Sequence, residues 1–332
     1  MPNLLEYTPR GWYCPIGDFY IDPDAPVERA VVTHGHTDHA YPGSRHYLAA
    51  ASSVLVLKER LGPEAEIEAL PFGQSVTING VNVSLHPAGH VLGSAQVRVE
   101  YRGEVWVVSG DYKTVTEPSC EPFEPVRCHV FVTESTFALP VYRWRPQREI
   151  MAEIHAWWRA NQEQGRTSVL FAYALGKTQR LLAALDPEVG PICVHGAARV
   201  FLPAYEAAGV RFPPIHSAEA AEVRRFAGRA LVLAPYSSFR TPWFHALGPT
   251  STASASGWMQ IRGHRRRQGV DRGFVLSDHA DWEGLLSAIR ATGAERIGVT
   301  HGHTEVLCRW LREQGRECWQ ASIARRQSED VG

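Results

Sequence analysis

The sequence predicts an α/β protein in two parts, and three observations carry that expectation. Through residue 135 the chain reads as short β-rich runs separated by Gly and Pro turns. From about Pro146, strand-like and helix-like segments alternate, as they do in layered α/β units. Near the end, two strand-like runs close on histidines, at His279 and His301, and each leads into a helical pattern.

The strand candidates of the first stretch are Ala30–Thr33, Val54–Leu57, Val76–Ile78, Val81–Leu85, Ala95–Val99, Val105–Val108 and Val130–Thr133, chosen for β-branched and apolar content between turn residues. Their short connections suggest a sheet rich in antiparallel pairs. Ile150, Met151, Ile154, Trp157 and Trp158 then fall at helical spacing, with Pro146 near the start and Gly165 at the stop. Strands at Ser168–Tyr173, Ile192–Val194 and Ala230–Ala234 alternate with helices at Lys177–Leu185 and Ala197–Ala208. The stretch Ser237–Gly257, rich in Ser, Thr, Pro, Gly and aromatic residues, reads as a flexible connector. The chain closes with a strand at Gly273–Leu276, a helix from about Asp281 to Thr292, a strand at Ile297–Thr300 and a helix from about Thr304 to Gln314. Repeats and low-complexity tracts are absent from the sequence.

Composition sets the class. The hydrophobic fraction of 44% and the charged fraction of 21% are those of an ordinary globular protein with ample core. No apolar stretch approaches the roughly 20 residues of a membrane span, and the start MPNLLEYTPRGWYC lacks the basic and apolar regions of a signal peptide. A cytoplasmic location without a membrane partner is the expectation. Six cysteines without a C-x-x-C pair indicate neither a zinc ribbon nor a disulfide framework, and they read as buried or incidental thiols. The net charge of −1 does not decide for or against nucleic acid. Apart from Lys58, Lys113 and Lys177 all 34 basic residues are arginine, which suits bidentate phosphate contacts and equally reflects a GC-rich genome. The run Arg262, Arg265, Arg266, Arg267 is read as a phosphate-binding patch, against the plainer alternative of a solvated basic loop.

The densest chemistry lies in Val31–Ala40, VVTHGHTDHA, where His34, His36, Asp38 and His39 crowd behind a short apolar run. Imidazole nitrogen and carboxylate oxygen suit zinc and its first-row neighbours. Adjacent side chains point different ways, so this loop reads as feeding two neighbouring metals: His34 and His36 one, Asp38 and His39 the other. Downstream, Pro87-Ala88-Gly89-His90 offers a further histidine. Val107-Val108-Ser109-Gly110-Asp111 ends an apolar run on an aspartate whose two oxygens can each face one ion.

In that order these motifs resemble the metallo-β-lactamase superfamily. Three later segments resemble the acidic motif and the two late histidine motifs of its β-CASP nucleases: Phe131-Val132-Thr133-Glu134-Ser135-Thr136, Val275-Leu276-Ser277-Asp278-His279 and Gly298-Val299-Thr300-His301. The resemblance covers essentially the whole chain. It implies an αββα sandwich of residues 1–140 and 273–332 interrupted by a β-CASP cap over 141–272, where the α/β composition begins and ends. It implies two divalent metal ions, Zn²⁺ with Mn²⁺ as the alternative. His34, His36, His90 and Asp111 would hold one, and Asp38, His39, Asp111 and His301 the other. Glu134 would orient His279 or a ligand, His279 would assist the leaving oxygen, and Asp22 would support the site without ligating. His303 is read as a supporting partner or a solvated loop histidine.

The length and the segment Gly11–Pro23 are similar to the bacterial ligase-associated DNA exonucleases, relatives of the Artemis-like group. That similarity implies a DNA exonuclease of DNA repair, functionally associated with an ATP-dependent DNA ligase and a helicase. A β-CASP ribonuclease acting on RNA is the alternative, and a small-molecule esterase of the same superfamily is a third class. In the reaction so implied, Asp38 or Asp111 takes the proton of an attacking water and His279 donates one to the leaving oxygen. Ala174-Leu175-Gly176-Lys177-Thr178 is not a Walker loop, because Phe171 stands where that pattern needs Gly. Two readings stand for Lys177 and Thr178: they aim at a substrate phosphate from a helix start, or they form a turn with an exposed lysine.

Overall fold

The computed structural model describes residues 3–321, apart from the side chain of Arg265. These residues form a mixed α/β protein with three sheets and fall into two compact units, 3–143 with 279–321, and 144–278. The strand at 273, expected to open the returning segment, hydrogen-bonds within the sheet of the second unit instead, and the first unit resumes at His279.

The first unit begins with strands β1 (Glu6–Thr8), β2 (Gly11–Cys14), β3 (Phe19–Ile21), β4 (Arg29–Val31), β5 (His46–Ala50) and β6 (Ile67–Leu70), paired in that order. The first three run antiparallel and the rest parallel. Between β5 and β6 lies helix α1 (Val54–Leu61). This corrects the strand expected at Val54–Leu57: its four apolar residues continue through Lys58-Glu59-Arg60-Leu61 to a positive-φ Gly62, and a short apolar run does not by itself distinguish helix from strand. A second sheet takes β7 (Ser75–Ile78), β8 (Val81–Pro87), β9 (Ala95–Tyr101), β10 (Glu104–Val108) and β11 (Val130–Ser135).

The second unit carries α2 (Gln147–Glu163), β12 (Thr167–Phe171), α3 (Lys177–Ala184), β13 (Ile192–Val194), α4 (Gly196–Arg199), α5 (Leu202–Ala207), β14 (His216–Ser217), α6 (Ala220–Arg225), β15 (Leu231–Ala234), α7 (Pro242–His245), β16 (Thr250–Ala255), α8 (Arg262–Gln268) and β17 (Arg272–Phe274). The single helix expected at Ala197–Ala208 is thus two, the second opening on a first turn that contains Pro203. The six strands form one parallel sheet in the order β14-β13-β15-β12-β16-β17. The supposed connector 237–257 therefore supplies an inner strand, β16. Its small polar residues hide this role from composition, but their hydroxyls are satisfied: Trp157 Nε1 donates to Ser251 Oγ at 3.2 Å, and Thr252 donates to Asp271 from both N–H and hydroxyl. The first unit then resumes with α9 (Trp282–Thr292), β18 (Arg296–Gly302), α10 (Thr304–Glu313) and β19 (Glu317–Gln320), which extend the second sheet to β19-β18-β11-β10-β9-β8-β7. The sheet rich in antiparallel pairs is half parallel, because β11 runs parallel to β10, and β18 and β19 arrive from far along the chain to extend it in the same sense.

Side-chain alternation builds the layers. In the first unit, Val31 and Leu48 from one sheet and Val97, Trp106 and Val132 from the other share one core. Their neighbours point the other way: Val32, Tyr47 and Ala49 pack with Leu57 of α1, while Val107, Phe131 and Ile297 pack with Leu285 and Ile289 of α9 and Leu307 and Leu311 of α10. Strands buried on both faces carry apolar residues at consecutive positions, as here. In the second unit Leu170 faces α2 and α3, whereas Val169 and Phe171 face the opposite side with Val223 of α6.

Trp158 of α2 is fully buried in the second unit and its Nε1 donates to the Arg229 carbonyl at 2.9 Å. Trp158→Ala is expected to cost about 3–5 kcal/mol through the cavity it leaves. Urea unfolding followed by circular dichroism reads this loss, and a cost below about 1 kcal/mol would refute the packing described.

Candidate metal centre

Strand ends of the first unit converge on one polar cluster. His34, His36 and His39 follow β4; His90 follows β8; Asp111 follows β10; Glu134 lies in β11 and His301 in β18. His36 Nδ1 stands 3.1 Å from both His34 Nε2 and His90 Nε2. Asp111 Oδ2 lies 3.6 Å from His34 Nε2, 3.8 Å from His90 Nε2 and 3.6 Å from His39 Nε2, and its Oδ1 lies 3.8 Å from His301 Nδ1. Three groups with metal-ligand atoms in mutual reach result, His34-His36-His90-Asp111, His39-Asp111-His301 and Asp111-Glu134-His279, with Asp111 common to all. Asp38 is the outlying member: its carboxylate is 42% exposed and reaches His39 Nε2 at 3.7 Å. Atoms about 2.0–2.2 Å from a tetrahedral ion stand roughly 3.3–3.6 Å apart, so the spacing suits a shared cation.

Local structure aims these atoms. Asp22, just past β3 with φ of 45°, accepts from the Thr33 N–H at 2.8 Å and the Thr33 hydroxyl at 2.6 Å, and its Oδ2 lies 2.7 Å from His39 Nδ1. That carboxylate fixes the ring and turns Nε2 toward the cluster. His90 is held by its loop, for its N–H and that of Val91 both donate to Ser94 Oγ. Before Asp111, Gly110 has φ of 56°, and a Cβ there would come within 2.7 Å of the Thr33 side chain, so the small-residue turn is sterically required. At the end of β18, His301 takes φ of 52°, and the Ser135 hydroxyl donates to its carbonyl and to that of Thr300. A Cβ on Gly302 would meet the Ser135 carbonyl oxygen at 2.4 Å. Thr33, Ser94 and Ser135 are site residues that the motif reading missed. Each lies within four residues of a recognised one, but only the folded chain shows which hydroxyls bond inward.

Glu134 is buried and accepts from the Tyr112 N–H at 2.8 Å. Its two oxygens lie 3.0 and 2.9 Å from His279 Nδ1, and Asp111 Oδ2 lies 4.0 Å from the same nitrogen. His303, the uncertain histidine, is half-buried: its N–H donates to the Ser135 carbonyl and its ring stacks with Tyr142. The expected phosphate contacts fare differently. Lys177 and Thr178 are buried within the second unit, where Lys177 Nζ pairs with Asp278 Oδ2 at 2.8 Å and the Thr178 hydroxyl donates to the Tyr173 carbonyl. Neither reading of a substrate-facing or exposed lysine matches that burial, because Asp278 draws the ammonium inward. Arg262, Arg266 and Arg267 are exposed on α8, a helix where a loop was the alternative; the side chain of Arg265 lies outside the described residues.

No family model matches the chain. It is 31% identical over 96% of its length to a protein from Opitutus terrae named a probable DNA ligase, of which it spans 31%. It is 30% identical over 41% of its length to the endoribonuclease ysh-1 of Neurospora crassa, spanning 16% of that protein, and 31% identical over 36% to the cleavage and polyadenylation specificity factor subunit 3 of Dictyostelium discoideum, spanning 16%. These relatives bear out the resemblance to the metallo-β-lactamase β-CASP nucleases. The chain spans less than a third of the length of these curated relatives. A protein of unknown function from Enterococcus faecalis V583 shares the fold, with a TM-score of 0.58 at 12% identity over 91% of this chain and 80% of that one.

That resemblance implies divalent metal ions, and the residues present fit them. His39 Nε2 and Asp111 Oδ1 are buried without a hydrogen-bond partner, which is costly unless a cation satisfies them. Burial disfavours the charged form of Asp111, yet His39, His279, His301 and His34 outweigh it and hold the carboxyl well below the usual range. Burial likewise works against the His39 imidazolium, but Asp111, Asp38 and Asp22 together lift it to about 10. Burial, with His39 adding to it, drives His34 well below its ordinary value, leaving it neutral.

At neutral pH the metal-free His39 is thus protonated and must release that proton before Nε2 can ligate. Metal affinity is therefore expected to rise with pH between about 6 and 9, and titration calorimetry in buffers of different ionisation enthalpy should show proton release on binding. Affinity independent of pH over that range would contradict His39 as a ligand.

Proposed function

We propose that this chain is a DNA exonuclease of DNA repair that hydrolyses phosphodiester bonds with two divalent metals, Zn²⁺ or Mn²⁺. The reading rests chiefly on His279: its Nδ1 is engaged by Glu134 beside Asp111, and in this reading the other two groups hold the metals while His279 is kept for the leaving oxygen. A simple hydrolase working through its metals alone has no use for such a group. In this reading the first unit is the αββα sandwich, supported by a core shared between two sheets with helices on their outer faces, and the second is the β-CASP cap.

His34, His36, His90 and Asp111 would hold one ion, and Asp38, His39, Asp111 and His301 the other. When bound, the metals supply Lewis acidity toward the phosphoryl oxygens and an attacking water acidified toward neutral pH. Asp38, the exposed carboxylate, accepts the water's proton. Glu134 holds the imidazolium of His279 and turns the other ring nitrogen, Nε2, toward the leaving oxygen, to which it donates. Arg262, Arg266 and Arg267 contribute charge for the phosphate backbone.

Similarity over 96% of the chain to a protein named a DNA ligase supports DNA, and a functional association with an ATP-dependent DNA ligase and a helicase belongs to the same reading. A β-CASP ribonuclease is the second reading, favoured by the relatives named endoribonucleases. Digestion of end-labelled single- and double-stranded DNA and RNA separates the two; internal cleavage of RNA alone would replace the first by the second. His279→Ala is expected to retain both metals and the fold while lowering cleavage by about 100-fold or more. Metal analysis and single-turnover digestion check this, and an unchanged rate at full metal content would refute the leaving-group role.

A further inference from the structure

Beyond Glu134, His279 has an aromatic setting that no motif assigns. The Phe137 ring stands edge-on to the His279 ring, centroids 5.8 Å apart at 67°, and the His90 ring lies 4.5 Å away. Phe137 is itself fully enclosed and meets Tyr142 edge-on at 4.8 Å, and Tyr142 stacks with His303. The short segment after β11 that carries these rings is tied by successive turns: Ala138 N–H to the Ser135 carbonyl, Leu139 N–H to Phe137, and Tyr142 N–H to Leu139. The Tyr142 carbonyl in turn accepts from the Trp282 N–H at the start of α9, three residues after His279. Glu134 and Phe137 thus reach His279 from one continuous stretch of chain.

A carboxylate on one ring nitrogen fixes a point but leaves the imidazole able to pivot about that contact. Proton donation falls steeply when donor and leaving oxygen are misaligned, so the pivot has to be closed. We propose that Phe137 is a positioning residue for His279: its ring, backed by Tyr142, restricts the imidazole about the Glu134 contact and so sets the direction of Nε2. The inference rests on the leaving-group reading of His279. It assigns Phe137 a role in the leaving-group step alone.

The test compares two substrates on the metal-loaded full chain: an end-labelled DNA strand, whose leaving alkoxide needs a proton, and thymidine 5′-(p-nitrophenyl) phosphate, whose p-nitrophenolate leaves without one. Phe137→Ala should lower kcat on DNA by about tenfold or more with KM within about twofold, and change p-nitrophenyl ester hydrolysis by less than about twofold. Phe137→Tyr should restore DNA cleavage, because it restores the ring, and Phe137→Leu, which keeps most of the volume without a ring, should show the same split as Phe137→Ala should the latter fold poorly. Metal content and thermal melting are followed for each variant. Equal losses on both substrates, or full activity of Phe137→Leu on DNA, would overturn the positioning role. His279→Ala run in parallel tests the underlying reading separately: if it too loses both activities equally, the leaving-group assignment fails, whereas a split for His279→Ala without one for Phe137→Ala refutes the positioning role alone.

Discussion

A buried carboxylate among imidazoles organises the first unit. Asp111 is nearly inaccessible, yet His34, His39 and His90 lie within 3.8 Å of one of its oxygens and His301 within 3.8 Å of the other. A low-dielectric site tolerates such a charge only when positive charge answers it. The four histidines come from three separate strand ends, so the pairing of β4, β8 and β18 within their sheets also determines whether that charge is met. Strand register and site electrostatics are one constraint here, because these side chains meet only where the strand ends are brought together.

The surroundings of the cluster carry the same logic outward. Asp22 fixes His39, Ser94 fixes the His90 loop, Ser135 fixes the end of β18, and Glu134 fixes His279. Two non-glycine residues with left-handed backbone, Asp22 and His301, lie at the same places. Strained residues persist where neighbouring structure over-determines them, and here each is gripped by a hydrogen bond or a close backbone approach.

The second unit follows a different rule. Its parallel sheet is apolar on both faces and takes its stability from α2 and α3 on one side and α6 on the other. Its buried polar cluster is internal: Asp278 binds Lys177 and Arg180 at 2.8 and 2.9 Å. A paired buried cation is a structural feature, whereas Arg262, Arg266 and Arg267 of α8 are exposed. Among the described residues, no helix is long and apolar enough to cross a membrane.

The sequence by itself determined the chemistry and the order in which it arrives. Ligand types and their spacing are local facts, and His34-x-His36-x-Asp38-His39, His90, Asp111, Glu134, His279 and His301 could all be picked out as a set. The long helix at 147 and most strands of the second sheet were legible too, because periodicity follows from which faces are buried. Tertiary structure decided the rest. A short apolar run such as Val54–Leu57 has no period to read, and only its packing against the outer face of the first sheet makes it a helix. The small polar residues of β16 become an inner strand because Trp157 and Asp271, distant along the chain, satisfy their hydroxyls and amides. Lys177 looked like a surface cation until Asp278, about a hundred residues later, was folded against it. Phe137 became visible only against the ring of His279, since ring orientation is set by contacts between residues far apart in the chain and leaves no mark on their spacing.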